Sequence, residues 1–338
     1  MQPRILGLDI VRSLAILFVI AGHFTAVNTP FGSSEFGGFS MFFQLATKTL
    51  FYIGVPLFLI LTGYLNSNKR ISKDYFNGGL RVIVSYVLFS IITILFRKYY
   101  INEDVSWLQW GHKVLNFSAI PYAWYIEMWI GLFLLTPFLN IMYHNIPTQK
   151  QKLLLIGILF VLTAVPFFVN RDNIHVVPDF WRRIYPLLFF FLGLYINEYK
   201  PVINKKIAWS IITGICLINP LYLILSSQNE VKHVLGSHFS VFGVILACSF
   251  FLAVYKADVK RGSFRKIITK ISILSLDVYL CCWIFDQLVY PYFINHFYIN
   301  QSQFGIYSII IVPIVFILSF IFSLVIDFLK KKVIALFN

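Results

Sequence analysis

The chain has 338 residues, of which 59% are hydrophobic and only 12% are charged, and its mean hydropathy is +0.77. Because a soluble domain carries about 25% charged residues, this composition excludes an ordinary soluble protein and indicates an integral membrane protein. The formal net charge of +14 does not indicate nucleic-acid binding, since the excess Lys and Arg lie in loops between apolar segments. In that position they are topology signals that also contact anionic lipids.

Apolar segments long enough to cross a bilayer recur about ten times along the chain. The first carries no small-residue cleavage site, so we expect an uncleaved first span and not a signal peptide. The pattern predicts an all-α, polytopic transmembrane bundle of about ten spans that forms one domain over residues 1–338. The predicted spans are 8–27, 48–65, 80–96, 124–143, 153–169, 184–196, 207–225, 238–255, 271–292 and 305–328.

The distribution of Lys and Arg predicts the orientation of the bundle. With the N-terminus placed in the cytoplasm, 18 of the 28 cationic residues fall in inner segments and 8 in outer ones, while Arg12 and Arg81 lie within spans. This bias follows the positive-inside rule. An even number of spans then places both termini on the cytoplasmic side.

The first span contains three ionisable residues in an otherwise apolar sequence. At about 100° per residue, Arg12 and His23 differ by about 20° around the helix, and Asp9 lies one turn before Arg12. Charges within a bilayer are costly and usually face a protein interior or a wet cavity. His23 is a candidate acid–base residue because imidazole titrates near neutrality. Arg12 is a candidate anion-binding residue, although a simple ion pair with Asp9 is a compatible alternative.

Further candidates follow along the chain. Arg81 opens the third span at its inner end, where it could hold a nucleotide phosphate or contact a lipid headgroup. Trp124 and Tyr125 open the fourth span at its outer end, and Glu127 lies one turn deeper in apolar sequence, so it needs a partner or a cavity. In the ninth span, Asp286 is the deeper of two carboxylates that point to opposite faces of the helix.

Several other sites are not indicated. The sequence contains no P-loop, no dinucleotide-binding glycine motif, no nucleophile elbow and no zincin motif. The remaining histidines have no metal-ligand spacing, and the four cysteines fall in apolar segments, so we expect neither a metal site nor a disulfide framework. The outer segment 97–123 carries tryptophans among polar residues, which favours anchoring at the membrane interface over gripping a substrate.

The ordered motifs resemble those of the acyltransferase-3 family of integral-membrane O-acyltransferases, over nearly the whole chain. The opening signature, Leu8-Asp9-x-x-Arg12-x-x-Ala15 with His23 late in the span, resembles the start of that family. Later landmarks occur in the same order. They are Thr62-Gly63-Tyr64-Leu65, Arg81, Ala123-Trp124-Tyr125, Leu135-Thr136-Pro137, Phe191-Leu192-Gly193 and Ser275-x-x-x-Tyr279-Leu280.

Two departures from the family pattern affect the expected site. Members often carry paired arginines before the third span, whereas Gly78 and Gly79 precede the single Arg81 here, which weakens the case for a two-arginine clamp. Many members also have a histidine in the ninth span where this chain has Cys282. A second catalytic imidazole is therefore not expected, and the acid–base role falls to His23.

The resemblance implies transfer of an acyl group, most simply acetyl, from cytosolic acetyl-CoA to a hydroxyl of a cell-surface or lipid-linked glycan at a bacterial cytoplasmic membrane. His23 would be the general base and Asp9 a second catalytic residue. Arg12 and Arg81 would bind the acyl-CoA, and no metal would be needed. The acceptor would contact four residues, which are Trp124, Tyr125, Glu127 and Asp286.

A transporter or flippase for a lipid-linked saccharide is the alternative from another functional class, with the intramembrane charges lining its path. No inverted repeat or matched pair of broken helices, which would indicate a transporter, is visible in the sequence. The residue pattern therefore favours the enzyme.

Overall fold

A computed structural model describes residues 4–25, 35–170, 175–227, 239–258, 262–297 and 301–336, with side chains in the last segment described for residues 307–330. Within these ranges the chain forms helices and their connections, with no β-strand. Eight helical segments are long and apolar enough to cross a membrane. The predicted all-α membrane bundle is therefore confirmed.

The helices follow the predicted spans, although several bounds differ. Residues 26–27 of the first predicted span and residue 238 of the eighth lie outside the described residues. The counterparts of the sixth and eighth predicted spans have only 15 and 14 residues, fewer than the roughly 20 that a span usually needs. The helices are α1 Leu6–His23, α2 Phe39–Phe51, α3 Gly54–Asn66, α4 Lys73–Tyr99, α5 Trp107–Leu115, α6 Trp124–His144, α7 Gln149–Thr163, α8 Pro166–Val169, α9 Tyr185–Tyr199, α10 Lys205–Leu225, α11 Val241–Val254, α12 Gly262–Phe297 and α13 Gln301–Leu336.

The second predicted span begins earlier than expected and is broken in the middle. The structure has α2 and α3 in place of one helix, with the break at Tyr52 and Ile53. Pro56 accounts for the break, because its ring clashes with the carbonyl group four residues earlier, at Tyr52, and its nitrogen cannot donate a hydrogen bond. The segment before residue 48 was missed because polar residues such as Gln44 and Thr47 interrupt its apolar sequence.

The first helix lies between two apolar clusters. Leu8, Val11 and Ala15 of α1 pack into one cluster with residues of α3, α9 and α11. Ile16 and Ile20 pack into the other with residues of α4, α12 and α13. Because α1 is enclosed on both flanks, its polar stripe cannot face lipid along most of its length. It faces the interior of the bundle.

Two glycines allow α3 and α9 to approach closely. A Cβ atom on Gly63 would overlap the carbonyl oxygen of Phe190, and one on Gly193 would overlap that of Ile60. Small residues at such crossings let membrane helices pack backbone to backbone. This contact supports one wall of the interior, since Phe58 and Thr62 of α3 line a cavity beside α1.

We expect Gly63→Ala to destabilise the protein by about 1–3 kcal/mol, the usual cost of overpacking a tight contact. The measurement is unfolding of the purified protein in detergent, followed by circular dichroism. Gly157→Ala is the matched control, since no atom lies within 4 Å of the added Cβ at this helical glycine. Equal stability of the two variants would contradict the close packing of α3 on α9.

Candidate active site

The polar stripe of α1 extends from the helix start to its last residue. We call the side of the bundle at which α1 begins the N-terminal side and the side at which it ends the far side. Arg12 and His23 are eleven residues apart, which is about 16 Å along the helix. Both line one cavity of about 250 Å³. The predicted shared face of Arg12 and His23 is therefore the face that borders an internal space.

The cavity, called the central cavity below, is lined by residues of five helices. α1 contributes Arg12, Val19 and His23, α4 contributes only Val82, and Tyr279 of α12 lies among them. The other lining residues come from α3, α6 and α12. They are Val55, Phe58, Thr62, Trp124, Tyr125, Ile126, Trp129, Ser272, Ile273, Ser275 and Leu276.

A second, larger cavity of about 1010 Å³ lies on the N-terminal side and is called the N-terminal cavity below. Arg12 lines this cavity as well, so this residue borders both spaces. Four cationic side chains line the N-terminal cavity against two carboxylates, which makes it suited to a polyanion. The charged lining residues are Arg4, Asp9, Arg12, Lys69, Glu198 and Lys200.

Asp9 pairs with Arg4 and not with Arg12. The two carboxylate oxygens of Asp9 accept hydrogen bonds from Arg4 Nε and Nη2 at 2.6 and 2.8 Å. Oδ1 also accepts from Ser272 Oγ of α12 at 2.7 Å. In the described part of the chain, Arg12 forms no ion pair or hydrogen bond. The intrahelical ion pair considered from the sequence therefore does not form, and the Arg12 cation remains available to an anion in either cavity.

His23 is held by an aromatic cluster at the far end of the central cavity. Its imidazole stacks on the ring of Tyr122, with ring centroids 3.6 Å apart and planes inclined by 24°. Tyr122 donates its hydroxyl to Asp286 Oδ2 at 2.8 Å. The Tyr279 hydroxyl in turn donates to the backbone carbonyl of Tyr122. Cys282 Sγ lies 3.8 Å from His23 Nδ1.

The segment that carries Tyr122 is braced from α4. Arg97 donates to the carbonyl oxygens of Ser118 and Ala119 at 3.2 and 2.9 Å. It also forms a bidentate pair with Glu103, with both distances 2.8 Å. These bonds hold the chain just before Tyr122, so they help to place its ring on His23.

The predicted acceptor-binding residues separate into three environments. Trp124 and Tyr125 line the central cavity. Asp286 is fully buried behind Tyr122 and lines neither cavity. Glu127 is exposed on the outer face of α6, because it lies two residues, or about 200° around the helix, from both Tyr125 and Trp129, which line the cavity. Arg81, predicted to bind acyl-CoA, is also exposed and lines neither cavity.

Sequence reasoning missed Tyr122, Ser272 and the role of Tyr279. The spacing of Ser272, Ser275 and Tyr279, three and then four residues, is typical of one helix face and could have indicated a polar lining on α12. Tyr122 precedes α6 in an irregular segment, so no periodicity marks it. In the described ranges, no group of three or more His, Cys, Asp and Glu residues could hold a metal ion.

Fold and site define a polytopic helical membrane protein in which one cavity is lined by a histidine and by an arginine that forms no ion pair within the described residues. The model of the acyltransferase-3 family, described as an acyltransferase domain, matches residues 5–328, nearly the whole chain. The chain therefore belongs to this family, as its motifs indicated, and it is a membrane O-acyltransferase. Neither a curated protein nor a solved structure matches it.

Proposed function

We propose that residues 1–338 act as one domain in a bacterial cytoplasmic membrane and transfer an acetyl group from cytosolic acetyl-CoA to a hydroxyl of a cell-surface or lipid-linked glycan. One observation carries the proposal. Arg12 and His23 line a common cavity, and Arg12 also lines the cationic N-terminal cavity. A donor with a charged head and a thin thioester arm could thus be held by its head while its arm extends toward His23.

The donor side of this arrangement is the N-terminal side, which the distribution of Lys and Arg assigns to the cytosol. Phosphate groups suit guanidinium ions because each pair forms charge-assisted hydrogen bonds. Arg12 has no competing partner among the described side chains. Arg81 stays a predicted donor-binding residue, and its exposed position on α4 would let it contact only a part of the donor that lies outside the two cavities.

In the proposed reaction, His23 accepts the proton of the acceptor hydroxyl as its oxygen attacks the thioester carbonyl carbon. The new C–O bond forms, the C–S bond breaks, and the proton returns to the thiolate of CoA. Direct transfer needs both substrates at His23 together, and positioning them is itself a large part of the catalysis.

Trp124 and Tyr125 are the predicted acceptor-binding residues that line the cavity with His23. Their rings offer flat apolar faces, and the Tyr125 hydroxyl offers a hydrogen bond, which together suit a sugar. Asp286 would act indirectly, through the hydroxyl of Tyr122 and its ring on His23. Glu127 would contact an acceptor only outside the cavity, on the face of α6 where it is exposed.

Asp9 is about 21 Å along α1 from His23, since fourteen residues separate them. Asp9 was predicted to be a catalytic residue, but at this distance we propose that it positions α1 and does not touch the substrates. Its bonds to Arg4 and to Ser272 fix the start of α1 against α12, and both helices line the central cavity.

The test is a turnover assay with the purified protein in lipid nanodiscs, acetyl-CoA labelled in its acetyl group, and extracted lipid-linked saccharides or cell-surface polymer as acceptors. We expect free CoA to be released together with transfer of the label to one acceptor. The absence of both CoA release and label transfer from every acceptor fraction would contradict the proposal. Movement of a labelled lipid-linked saccharide across proteoliposomes without CoA release would support the transporter instead.

A further inference from the structure

Cys282 is a fully buried thiol beside the proposed base. It lies on α12, one turn after Tyr279, and its sulfur is 3.2 Å from the carbonyl oxygen of Tyr279. The same sulfur is 3.8 Å from His23 Nδ1, within the range of an N–H···S hydrogen bond.

One assignment of the protons lets the sulfur make both contacts as hydrogen bonds. A thiol has one proton, and the carbonyl oxygen of Tyr279 can only accept it. When the thiol donates to that carbonyl, its sulfur can offer His23 only a lone pair. That lone pair accepts a hydrogen bond from His23 only if Nδ1 carries the ring proton. Since neutral imidazole has a single N–H, Nε2 is left as the nitrogen that can accept a proton.

We infer that Cys282 is a positioning residue that selects the Nδ1–H tautomer of His23. The inference rests on the proposed function, because it identifies Nε2 as the atom that takes the proton of the acceptor hydroxyl. Two of the contacts of His23 serve this purpose. Tyr122 fixes the plane of the ring through stacking, and Cys282 fixes which ring nitrogen is protonated.

A nucleophilic role for the thiol is not favoured by the same structure. An acyl group on Cys282 would require its sulfur to reach the thioester, but the residue has no exposed surface and does not line the central cavity. The contact with His23 is therefore better suited to orienting the base than to carrying the acyl group.

The test compares Cys282→Ser with Cys282→Val. Serine keeps a donor to the Tyr279 carbonyl and an acceptor for His23, whereas valine fills a similar volume with neither. Solid-state NMR of the protein labelled with ¹⁵N-histidine in lipid bilayers reports which ring nitrogen is protonated. Loss of one of the seven histidine signals in His23→Gln identifies the signal of His23.

We expect protonated Nδ1 in the wild type and in Cys282→Ser, and a mixed or reversed tautomer in Cys282→Val. The turnover number should fall about tenfold in Cys282→Val and stay within about threefold in Cys282→Ser, with little change in the KM for the donor. A protonated Nε2 in the wild type, an unchanged tautomer in Cys282→Val, or an acyl adduct on Cys282 found by mass spectrometry would overturn the inference. If the tautomer responds as expected but the wild type transfers no acyl group, the proposed function fails and the role of Cys282 stands.

Discussion

Replacement of His23 by alanine is expected to abolish acyl transfer while the protein remains folded in the membrane. His23 lines the central cavity, and loss of a general base typically lowers a rate by about 10²- to 10⁴-fold. The measurement in cells is the acetyl content of the purified surface polymer by NMR. With purified protein, the measurement is release of CoA.

Two further variants separate loss of the base from loss of structure. His23→Gln retains a planar polar group that can stack on Tyr122, so it should keep the folded state and still lack a base. His112→Ala removes an exposed imidazole on α5 and should leave the activity unchanged. Normal acetyl content in cells that express only His23→Ala would end the assignment of His23 as the base.

Replacement of Arg12 by glutamine is expected to weaken donor binding. Arg12 borders both cavities and forms no ion pair or hydrogen bond within the described residues. Hydrogen bonds to charged groups are worth about 1.5–3 kcal/mol, so the KM for the acyl donor should rise about ten- to hundredfold. Steady-state kinetics at varied donor concentration, with the acceptor saturating, give this value.

Arg12→Lys keeps the charge but cannot form a bidentate contact with phosphate, so its KM for the acyl donor should lie between those of the wild type and of Arg12→Gln. Lys206→Ala is the matched control, because it removes an exposed cation at the start of α10 that lines neither cavity. An unchanged KM in Arg12→Gln would show that the arginine does not bind the donor. Arg81→Ala tests the second predicted donor-binding residue, with a smaller rise in KM expected from its exposed position.

Particular helices show why some features were predictable and others were not. The stripe of Arg12 and His23 was predictable because helical spacing is a local property, and one helix contains both residues. The break between α2 and α3 was also encoded locally, by Pro56, but apolarity alone did not reveal it. Asp9 was placed on the correct face, yet its partner is Arg4, which precedes α1 and therefore has no helical spacing that would have marked it.

Composition and helical periodicity were sufficient to establish an α-helical membrane protein, an approximate number of spans, and one helix with an arginine and a histidine on a common face. A bilayer supplies no hydrogen bonds, so these local patterns are strongly constrained. Packing alone brought Tyr122 and Cys282 to His23, placed Asp286 against Tyr122, and set Arg12 at the border of two cavities. Contacts between residues more than 90 positions apart depend on how helices cross, and no local pattern in a single sequence records those crossings.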